Sequence, residues 1–348
     1  MNSPIQEMLL SSASHSRPFR QIIGIGGIGT GMLFHSLSNE TIGRSESRLA
    51  ELTPAKDYCK LQIVFYYLAA LLAPDIAIRP AGVVGRDSFG PGLVGQMHRQ
   101  GMDTSLVSYS DSLPTMLSVC WQYPDRDGGN ITASNSACSL VTEEYVQSRL
   151  SPLIDSSTVV AALPEVSVPA RLALLREGRK KSAFCALSLA EAETDAFCAA
   201  NAFSCCDLLA VNEGEARALA HSHQNGQLLV KSLSDQMMKI NPALSIVVTC
   251  GKEGSYSIQN GIMERIPPLP AKVQNTTGAG DALLGGTLAG LCLGLPFQKG
   301  KNDLEFGGTE LLSAVELGTL CAGMATESED SIALSVNKES ICERINQI

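Results

Sequence analysis

Short, uniformly apolar segments alternate with helical segments along most of this sequence, and the alternation limits the folds open to the chain. The apolar segments predict strands at residues 21–25, 76–84, 159–163, 184–188, 208–211 and 245–249. The segments between and after them predict helices at residues 60–73, 88–99, 168–177, 213–220, 281–293 and 310–326. Strands that are apolar throughout favour a parallel sheet covered by helices on both faces. Ligands of such sheets bind at the carboxyl ends of the strands, so motifs at strand ends are the candidates for function.

Two β-rich segments fall outside this alternation and predict a small separate lid. Residues 115–122 and 130–136 flank the turn sequence PDRDGGN, a combination typical of a β-hairpin. Residues 31–56 are polar and irregular. We expect the lid to use parts of residues 31–56 and 105–139.

Composition and charge argue against several classes of partner. A net charge of −9 and an aromatic fraction of 5% disfavour nucleic-acid binding, which needs basic patches and stacking rings. The longest apolar run, residues 63–73, is shorter than the roughly 20 residues of a membrane span. No signal peptide is recognisable, and the eleven cysteines lack CxxC spacing, so we expect reduced thiols in the cytoplasm. Residues 1–18 predict a polar, loosely ordered extension, and residues 19–348 predict one domain.

The strongest motif is Asn275-Thr-Thr-Gly-Ala-Gly-Asp281, which precedes an apolar, glycine-rich helix. Glycines at the start of a helix leave backbone N–H groups free to bind an anion, and the helix dipole favours negative charge there. Asp281, in the first turn, is expected to keep a low pKa and stay ionised. A carboxylate beside an anion site suits a base that takes a proton from a hydroxyl while the site holds a phosphoryl group. The alternative is that Asp281 only caps the helix and the glycines only allow close packing.

Three further motifs are weaker, and each has a structural explanation when taken alone. They are GVVGRDSFG at residues 82–90, LLAVNEGE at 208–215 and VVTCGKEG at 247–254. In the first, Asp87 or Ser88 can simply cap the following helix. The second and third deliver polar residues or glycines to the carboxyl ends of buried strands.

Together, in this order, the four motifs resemble the ribokinase-like (PfkB) carbohydrate kinase family over about residues 20–345. The resemblance implies an α/β fold: a three-layer α/β/α sandwich with a mostly parallel central sheet and a small β lid. It implies transfer of the γ-phosphoryl group of ATP, with Mg²⁺, to a hydroxyl of a small sugar or sugar-like acceptor. It also implies that lids of this kind can pair in a homodimer.

The resemblance also implies roles for particular residues. Asp281 is the base, and Gly278, Ala279 and Gly280 form the anion site. Asn212 and Glu215 serve the phosphates and the Mg²⁺ ion. The residues along the nucleotide are Thr249, Gly251, Gly254, Thr276 and Thr277. Glu165 faces the acceptor, and the predicted lid hairpin should bring Gly129 and Asn130 near it.

Departures from the family pattern concentrate on the acceptor side. Gly31 stands near the place of a substrate-binding Asp. The segment KDYCKLQ, residues 56–62, replaces a GGKGxN sequence, so the acceptor residues expected there are Asp57 and Lys60. Asn275 replaces an Asp linked to a monovalent-cation site, which puts potassium activation in question.

The same segment suggests that the acceptor is acidic or phosphorylated. Lys60 opens a helix, where the dipole already favours an anion, and Arg44 and Arg48 precede it. The alternative is that Lys60 pairs with Asp57 or extends into solvent, and that the two arginines pair with Glu46 or Glu51.

Two other functions remain open. Gly24-x-Gly26-x-x-Gly29 matches the dinucleotide fingerprint and would suit an NAD-dependent oxidoreductase. However, the chain then becomes polar and brings no acidic residue to a strand end, so we rank this below a kinase. A kinase-like fold can also serve as a nucleotide-responsive binding protein without turnover, although the presence of Asp281 speaks against it.

Overall fold

The computed structural model describes residues 4–10, 17–125, 128–299 and 313–347. Its strands, β1 to β13 in chain order, are Gln21–Ile25, Gly29–Ser36, Ala50–Tyr58, Ala77–Gly85, Val107–Ser110, Met116–Gln122, Gly128–Thr132, Thr158–Ala162, Phe184–Ser188, Leu208–Asn212, Ser245–Thr249, Ser255–Gln259 and Ile262–Ile266. Its α-helices, α1 to α11, are Pro4–Leu10, Lys60–Leu72, Gly90–Arg99, Glu143–Tyr145, Val168–Lys180, Thr194–Ala199, Glu213–Ala220, Gly226–Ile240, Ala279–Cys292, Ala314–Thr326 and Lys338–Ile345.

Nine of the described strands form the large sheet, in the order β13-β12-β11-β10-β9-β8-β1-β4-β5. The strands from β11 to β5 in this order are parallel, and β12 and β13 add an antiparallel edge. Strand β1 lies between β4 and β8, where the strand order reverses direction. Such a switch point leaves a crevice at the carboxyl edge of the sheet, which is where ligands of open α/β sheets bind.

Helices cover both faces of this sheet, as the uniformly apolar strands predict. Consecutive residues of β1 belong to opposite cores: Ile22 packs in one apolar cluster with α2 and α9, and Ile23 packs in the other with α5 and α7. The predicted three-layer α/β/α sandwich with a mostly parallel sheet is therefore confirmed.

The smaller sheet has the strand order β3-β2-β6-β7 and stands apart from the large one. The hairpin predicted from residues 115–122 and 130–136 is confirmed as part of it, although Arg126 and Asp127 of its turn lie outside the described residues. The expectation that residues 31–56 are irregular is wrong, because β2 and β3 occupy both ends of the segment. Most residues of β3 are exposed or half-buried, so this strand lacks the apolar pattern by which strands are recognised.

The chain before the large sheet is more ordered than a polar extension would be. In α1, Ile5 and Leu9 are fully buried, and the Gln6 amide donates to the Cys342 carbonyl at 3.0 Å. The expected loose order is therefore wrong for residues 4–10, because their apolar side chains pack into the core beside α11. In the ranges that the structure describes, no helix is both long and apolar enough to cross a membrane.

Candidate active site

A tight turn at Gly278 starts helix α9 at the carboxyl edge of the large sheet. Gly278 has φ of +80°, a conformation that glycine adopts readily. A Cβ atom at this position would also collide with the Ser331 carbonyl oxygen. Position 280 is close to the end of β11, since a Cβ there would lie 3.7 Å from the Thr249 hydroxyl. The first-turn N–H groups of a helix have no partners within the helix, so this turn can hold an anion.

Asp281 lies in the first turn of α9 and is half-buried. Burial raises the pKa of its carboxyl group to about 6, with Lys60 opposing the shift and the charges of Glu215 and Asp57 adding to it. The expectation of a low pKa is therefore wrong, because desolvation and neighbouring carboxylates outweigh the favourable position at the helix start. A carboxylate with this pKa is still mostly ionised at neutral pH and holds a proton better than an ordinary Asp.

The turn opens into a cavity of about 780 Å³, and most of the predicted site residues lie on its lining. The predicted residues on its lining are Lys60, Asn212, Glu215, Thr249, Gly251, Gly254, Thr276, Thr277, Gly278, Ala279, Gly280 and Asp281. The opposite lining is largely apolar and includes Leu269, Ala271, Val273 and Ala322. The sequence analysis missed these four residues, which come from an irregular segment and from α10. No local motif marks them, because only the fold brings them to the cavity.

Asn212 and Glu215 form a reciprocal cap at the start of α7. The Glu215 backbone N–H donates to Asn212 Oδ1 at 2.9 Å, and the Asn212 N–H donates to Glu215 Oε2 at 2.8 Å. The second carboxylate oxygen of Glu215 lies 3.5 Å from Lys60 Nζ. Burial opposes the charge of Lys60, but Asp281, Glu215 and Glu165 outweigh it and raise the pKa of the ammonium group. The result is a charged lysine beside the glycine turn.

The two sides of the cavity suit the two parts of a nucleotide. The apolar side can take a base, and the glycine turn with Lys60 can take phosphates. Within the described ranges, no three His, Cys, Asp or Glu residues are grouped to hold a metal ion. Mg²⁺ is usually held by one or two carboxylates together with the phosphates of the substrate. Glu215 contributes one carboxylate to the cavity lining, and Asn212 lies on the same lining.

Glu165 lies below the start of α2, between this helix and the loop after β1. Its carboxylate accepts the Lys60 backbone N–H at 3.2 Å, and a Cβ at Gly27 would lie 2.6 Å from the same oxygen. Burial raises the pKa of Glu165 to about 7, and the nearby charge of Asp281 adds to the shift while Lys60 opposes it. The structure thus brings Glu165 close to the other charged groups of the site.

Gly31 and Asp57 are direct partners across the antiparallel pair β2–β3. A Cβ at Gly31 would lie 2.9 Å from Asp57 Cβ and 3.0 Å from Asp57 Oδ2. The carboxylate of Asp57 therefore occupies the space that a side chain at position 31 would take. Burial raises the pKa of Asp57, although hydrogen bonds from Ser331, Cys120 and the Tyr58 backbone oppose the shift.

Two of the three cations expected to bind an acidic acceptor, Arg48 and Lys60, are paired with carboxylates. Arg48 lies 2.8 Å from Glu46 and 3.5 Å from Glu40, and Lys60 pairs with Glu215 as described above. Arg44 is exposed. Arg48 is thus paired with Glu46, which is the alternative to binding an acidic acceptor.

The two predicted lid residues lie on β7, the strand farthest from β3. At position 129 a side chain would meet the Trp121 ring, with the nearest ring atom at 2.6 Å, so glycine there makes room for the indole. Asn130 is exposed and pairs with Cys120 across β6–β7. Neither Gly129 nor Asn130 lies on the lining of the cavity.

Two other glycine-containing motifs have structural roles. Asp87 accepts the backbone N–H groups of Phe89, Gly90 and Thr115, and although its burial opposes the effect, these bonds lower its pKa to about 2. Asp87 thereby ties the start of α3 to the segment that leads into the lid. After Gly29 the chain enters strand β2 instead of a helix, so Gly24–Gly29 lacks the helix start on which a dinucleotide would sit.

Comparisons with known proteins point to one family. A family model described as pfkB family carbohydrate kinase matches residues 67–338. A sugar kinase of Escherichia coli, described as the uncharacterized sugar kinase YegV, is 44% identical over 54 residues. This aligned segment covers 16% of the chain and only 17% of that relative.

Solved structures agree with the described fold. A ribokinase of Giardia lamblia has a TM-score of 0.77 at 16% identity, covering 93% of this chain and 99% of that chain. A ribokinase of Cryptococcus neoformans, solved in complex with ADP, has a TM-score of 0.71 at 18% identity over the same shares. At these identities the likeness shows a ribokinase-like α/β fold with a large and a smaller sheet.

Proposed function

We propose that this chain, which belongs to the pfkB family of carbohydrate kinases, transfers the γ-phosphoryl group of ATP to a hydroxyl of a sugar or sugar-like acceptor. Members of this family are phosphotransferases with an alcohol group as acceptor. One observation carries the proposal: Asp281, with its pKa of about 6, lies in the first turn of α9 directly after the Gly278–Gly280 turn.

Asp281 acts as the general base in this proposal. Its carboxylate takes the proton of the acceptor hydroxyl as the hydroxyl oxygen attacks the γ-phosphorus atom of ATP, and the bond from that phosphorus to the bridging oxygen breaks and releases ADP. The N–H groups after Gly278 and the ammonium group of Lys60 stabilise the negative charge on the transferred group. Phosphoryl transfer depends mainly on such positioning and charge stabilisation.

The residues proposed to bind the cofactors form two groups, one for the nucleotide and one for Mg²⁺. Thr249, Gly251, Gly254, Thr276 and Thr277 line the nucleotide, and the apolar residues opposite them receive the base. Mg²⁺, when bound, neutralises phosphate charge, and Asn212 and Glu215 are the residues that would hold it.

The smaller sheet acts as a lid over the acceptor. A lid excludes water, which would otherwise compete with the acceptor for the phosphoryl group. Gly129 and Asn130 belong to this lid, with Glu165 below the acceptor. The exposed apolar side chains Leu52 and Ile131 support pairing of two lids in a homodimer, which sedimentation analysis would test.

We assign the protein to the cytoplasm. All eleven cysteines are free thiols in the structure, as expected of a reducing compartment with an ATP pool.

Ligand-dependent thermal stabilisation combined with a turnover assay tests the proposed function. The kinase proposal predicts stabilisation by ATP with Mg²⁺ and acceptor-dependent formation of ADP. Stabilisation by NAD(H) alone would support an oxidoreductase, and stabilisation by ATP without turnover on any acceptor would support a binding protein. Either result would contradict the proposal.

A further inference from the structure

A fully buried arginine lies on helix α5, which packs against strands β8 and β9. Arg171 is 0% exposed and is one of the largest fully buried side chains of the protein. Its neighbours on the buried face of the helix include the apolar residues Ala170 and Leu174. Taking a guanidinium group out of water is costly, and a well-packed apolar side chain is often at least as stabilising in such a place. Packing alone therefore does not explain the charge.

The guanidinium group contacts the segment that leaves strand β9. Its Nη1 atom donates to Glu193 at 2.7 Å, and its Nη2 atom donates to the backbone carbonyl oxygen of Ser188. The ring of Phe197 lies against it, with 4.6 Å between the ring centre and Cζ of the arginine. The same oxygen of Glu193 accepts the Ala190 backbone N–H at 2.8 Å. Arg171 therefore fixes both ends of residues 188–193, the connection between β9 and α6.

This connection borders the proposed metal and phosphate side of the cavity. Ser188, the last residue of β9, lies on the cavity lining, as does its register partner Ala210 on β10. A Cβ at Gly214 would lie 3.1 Å from Glu191 Oε2 and 3.2 Å from Asn212 Oδ1. The carboxylate of Glu191 thus packs against the first turn of α7, on the same side as the cap of that helix.

We propose that Arg171 is a positioning residue for the binding of the Mg²⁺–ATP complex. The inference rests on the proposed kinase function and adds to it a residue outside the cavity. By fixing residues 188–193, Arg171 sets the surface against which the start of α7 packs. Asn212 and Glu215, the residues proposed to hold Mg²⁺, belong to that start. Arg171 is not on the cavity lining, so it acts through this connection alone.

The charge of Arg171 comes with a matching carboxylate. Burial lowers the pKa of Arg171, and the charges of Glu193, Glu165 and Glu215 oppose this shift. Its direct partner is Glu193, whose side chain is only 21% exposed. Removing one member of a buried ion pair is far more destabilising than replacing both, because the other charge is left without a partner. The test therefore changes both residues.

The test is the double variant Arg171→Met/Glu193→Gln. It removes both charges and keeps an amide oxygen that can accept the Ala190 N–H. Calorimetry measures the dissociation constant of a nonhydrolysable ATP analogue with and without Mg²⁺, and steady-state kinetics gives kcat and both KM values. We expect the dissociation constant with Mg²⁺ to rise about 10-fold, the size of effect that follows from losing a charge-assisted hydrogen bond. The constant without Mg²⁺ should change less, and the acceptor KM should not change.

Two single variants separate position from stability. Arg171→Lys keeps the charge but lacks the fork that reaches two acceptors, so its affinity for the complex should lie between those of the wild type and the double variant. Arg179→Met is the matched control. Arg179 lies on the same helix and pairs with Asp207 at 2.8 Å, just before β10 and thus at the opposite edge of the sheet. Its loss should lower the unfolding temperature and leave binding of the complex unchanged.

The outcomes distinguish this inference from the function on which it rests. A folded double variant with wild-type affinity for the Mg²⁺–ATP analogue, or equal weakening of binding by Arg179→Met, would overturn the role of Arg171 and leave the kinase intact. If thermal unfolding shows that the double variant is not folded, Arg171→Lys decides, and wild-type affinity in that variant would overturn the role. Absence of nucleotide binding and of turnover in the wild type would overturn the kinase proposal itself, and the inference with it.

Discussion

The proposed nucleotide side and the proposed acceptor side of the site are built in different ways. The glycine turn and Asp281 follow one another in the chain, and the two capping residues Asn212 and Glu215 are three positions apart. On the acceptor side, Gly31, Asp57 and Cys120 come from three strands and meet only through the register of the smaller sheet. A site built from one segment can be recognised as a motif, whereas a site built by strand register can change its residues without leaving a motif.

The largest loss is expected on the nucleotide side, at Asp281. Asp281→Asn keeps the shape of the side chain and removes the proton acceptor, so kcat should fall by about 10²–10⁴-fold, the usual contribution of a positioned base. Nucleotide affinity should change little, because the turn stays intact. Steady-state kinetics and calorimetric ATP binding check both statements. A variant with nearly unchanged kcat would show that proton transfer does not depend on this residue.

The turn itself should be nearly as sensitive. Gly278→Ala adds a Cβ against the Ser331 carbonyl in a backbone with φ of +80°, so both the turn and its contact with the loop after α10 should be displaced. We expect weaker ATP binding, a lower kcat and a lower unfolding temperature.

Gly294 offers a matched control for this variant. It has φ of +89° at the far end of α9, and nothing lies within 4 Å of an added Cβ. Gly294→Ala therefore carries the cost of the backbone conformation alone, about 1–2 kcal/mol for a left-handed residue. If both variants lost ATP binding equally, the crowding at Ser331 would have no functional meaning.

Lys60 connects the two sides and should set the pH dependence. Its ammonium group lowers the pKa of Asp281, so Lys60→Met should raise that pKa above its value of about 6. A base must be deprotonated, and the acid limb of kcat/KM follows the pKa of the free enzyme, so the limb should move to higher pH. Lys56→Met, an exposed lysine on β3, should leave the limb in place. If the acid limb of kcat/KM stayed in place in Lys60→Met, the charge of Lys60 would not control the pKa of the base.

The smallest effect is expected from monovalent cations. The side-chain amide of Asn275 donates to the Glu329 carbonyl at 2.9 Å. An ionised Asp at this position would have no hydrogen to donate, so the carbonyl would then be available to a cation. Rates in potassium, sodium and tetramethylammonium chloride should agree within assay error. Asn275→Asp should introduce a dependence on potassium, because it removes this donor and adds a carboxylate. Strong potassium activation of the wild type would contradict this interpretation.

The difference between the two sides also explains what the sequence could predict. The sandwich follows from uniformly apolar strands such as β8 and β11, and the Gly278–Asp281 turn follows from glycine spacing ahead of a helix. Strand β3 could not be predicted, because its polar residues face solvent and its pairing with β2 is set by distant contacts. The raised pKa of Asp281 escaped prediction for a related reason: Asp57 and Glu215, which add to the shift, are remote in sequence.

Identification of the phosphorylated product tests the central claim most directly. The wild type and Asp281→Asn are incubated with ATP labelled in its γ-phosphate, Mg²⁺ and the acceptor mixture, and the labelled products are separated. We expect label on a hydroxyl of a sugar or sugar-like acceptor with the wild type, and loss of this product with Asp281→Asn while ATP still binds. Label found only in free phosphate, or equal transfer by both proteins, would contradict it.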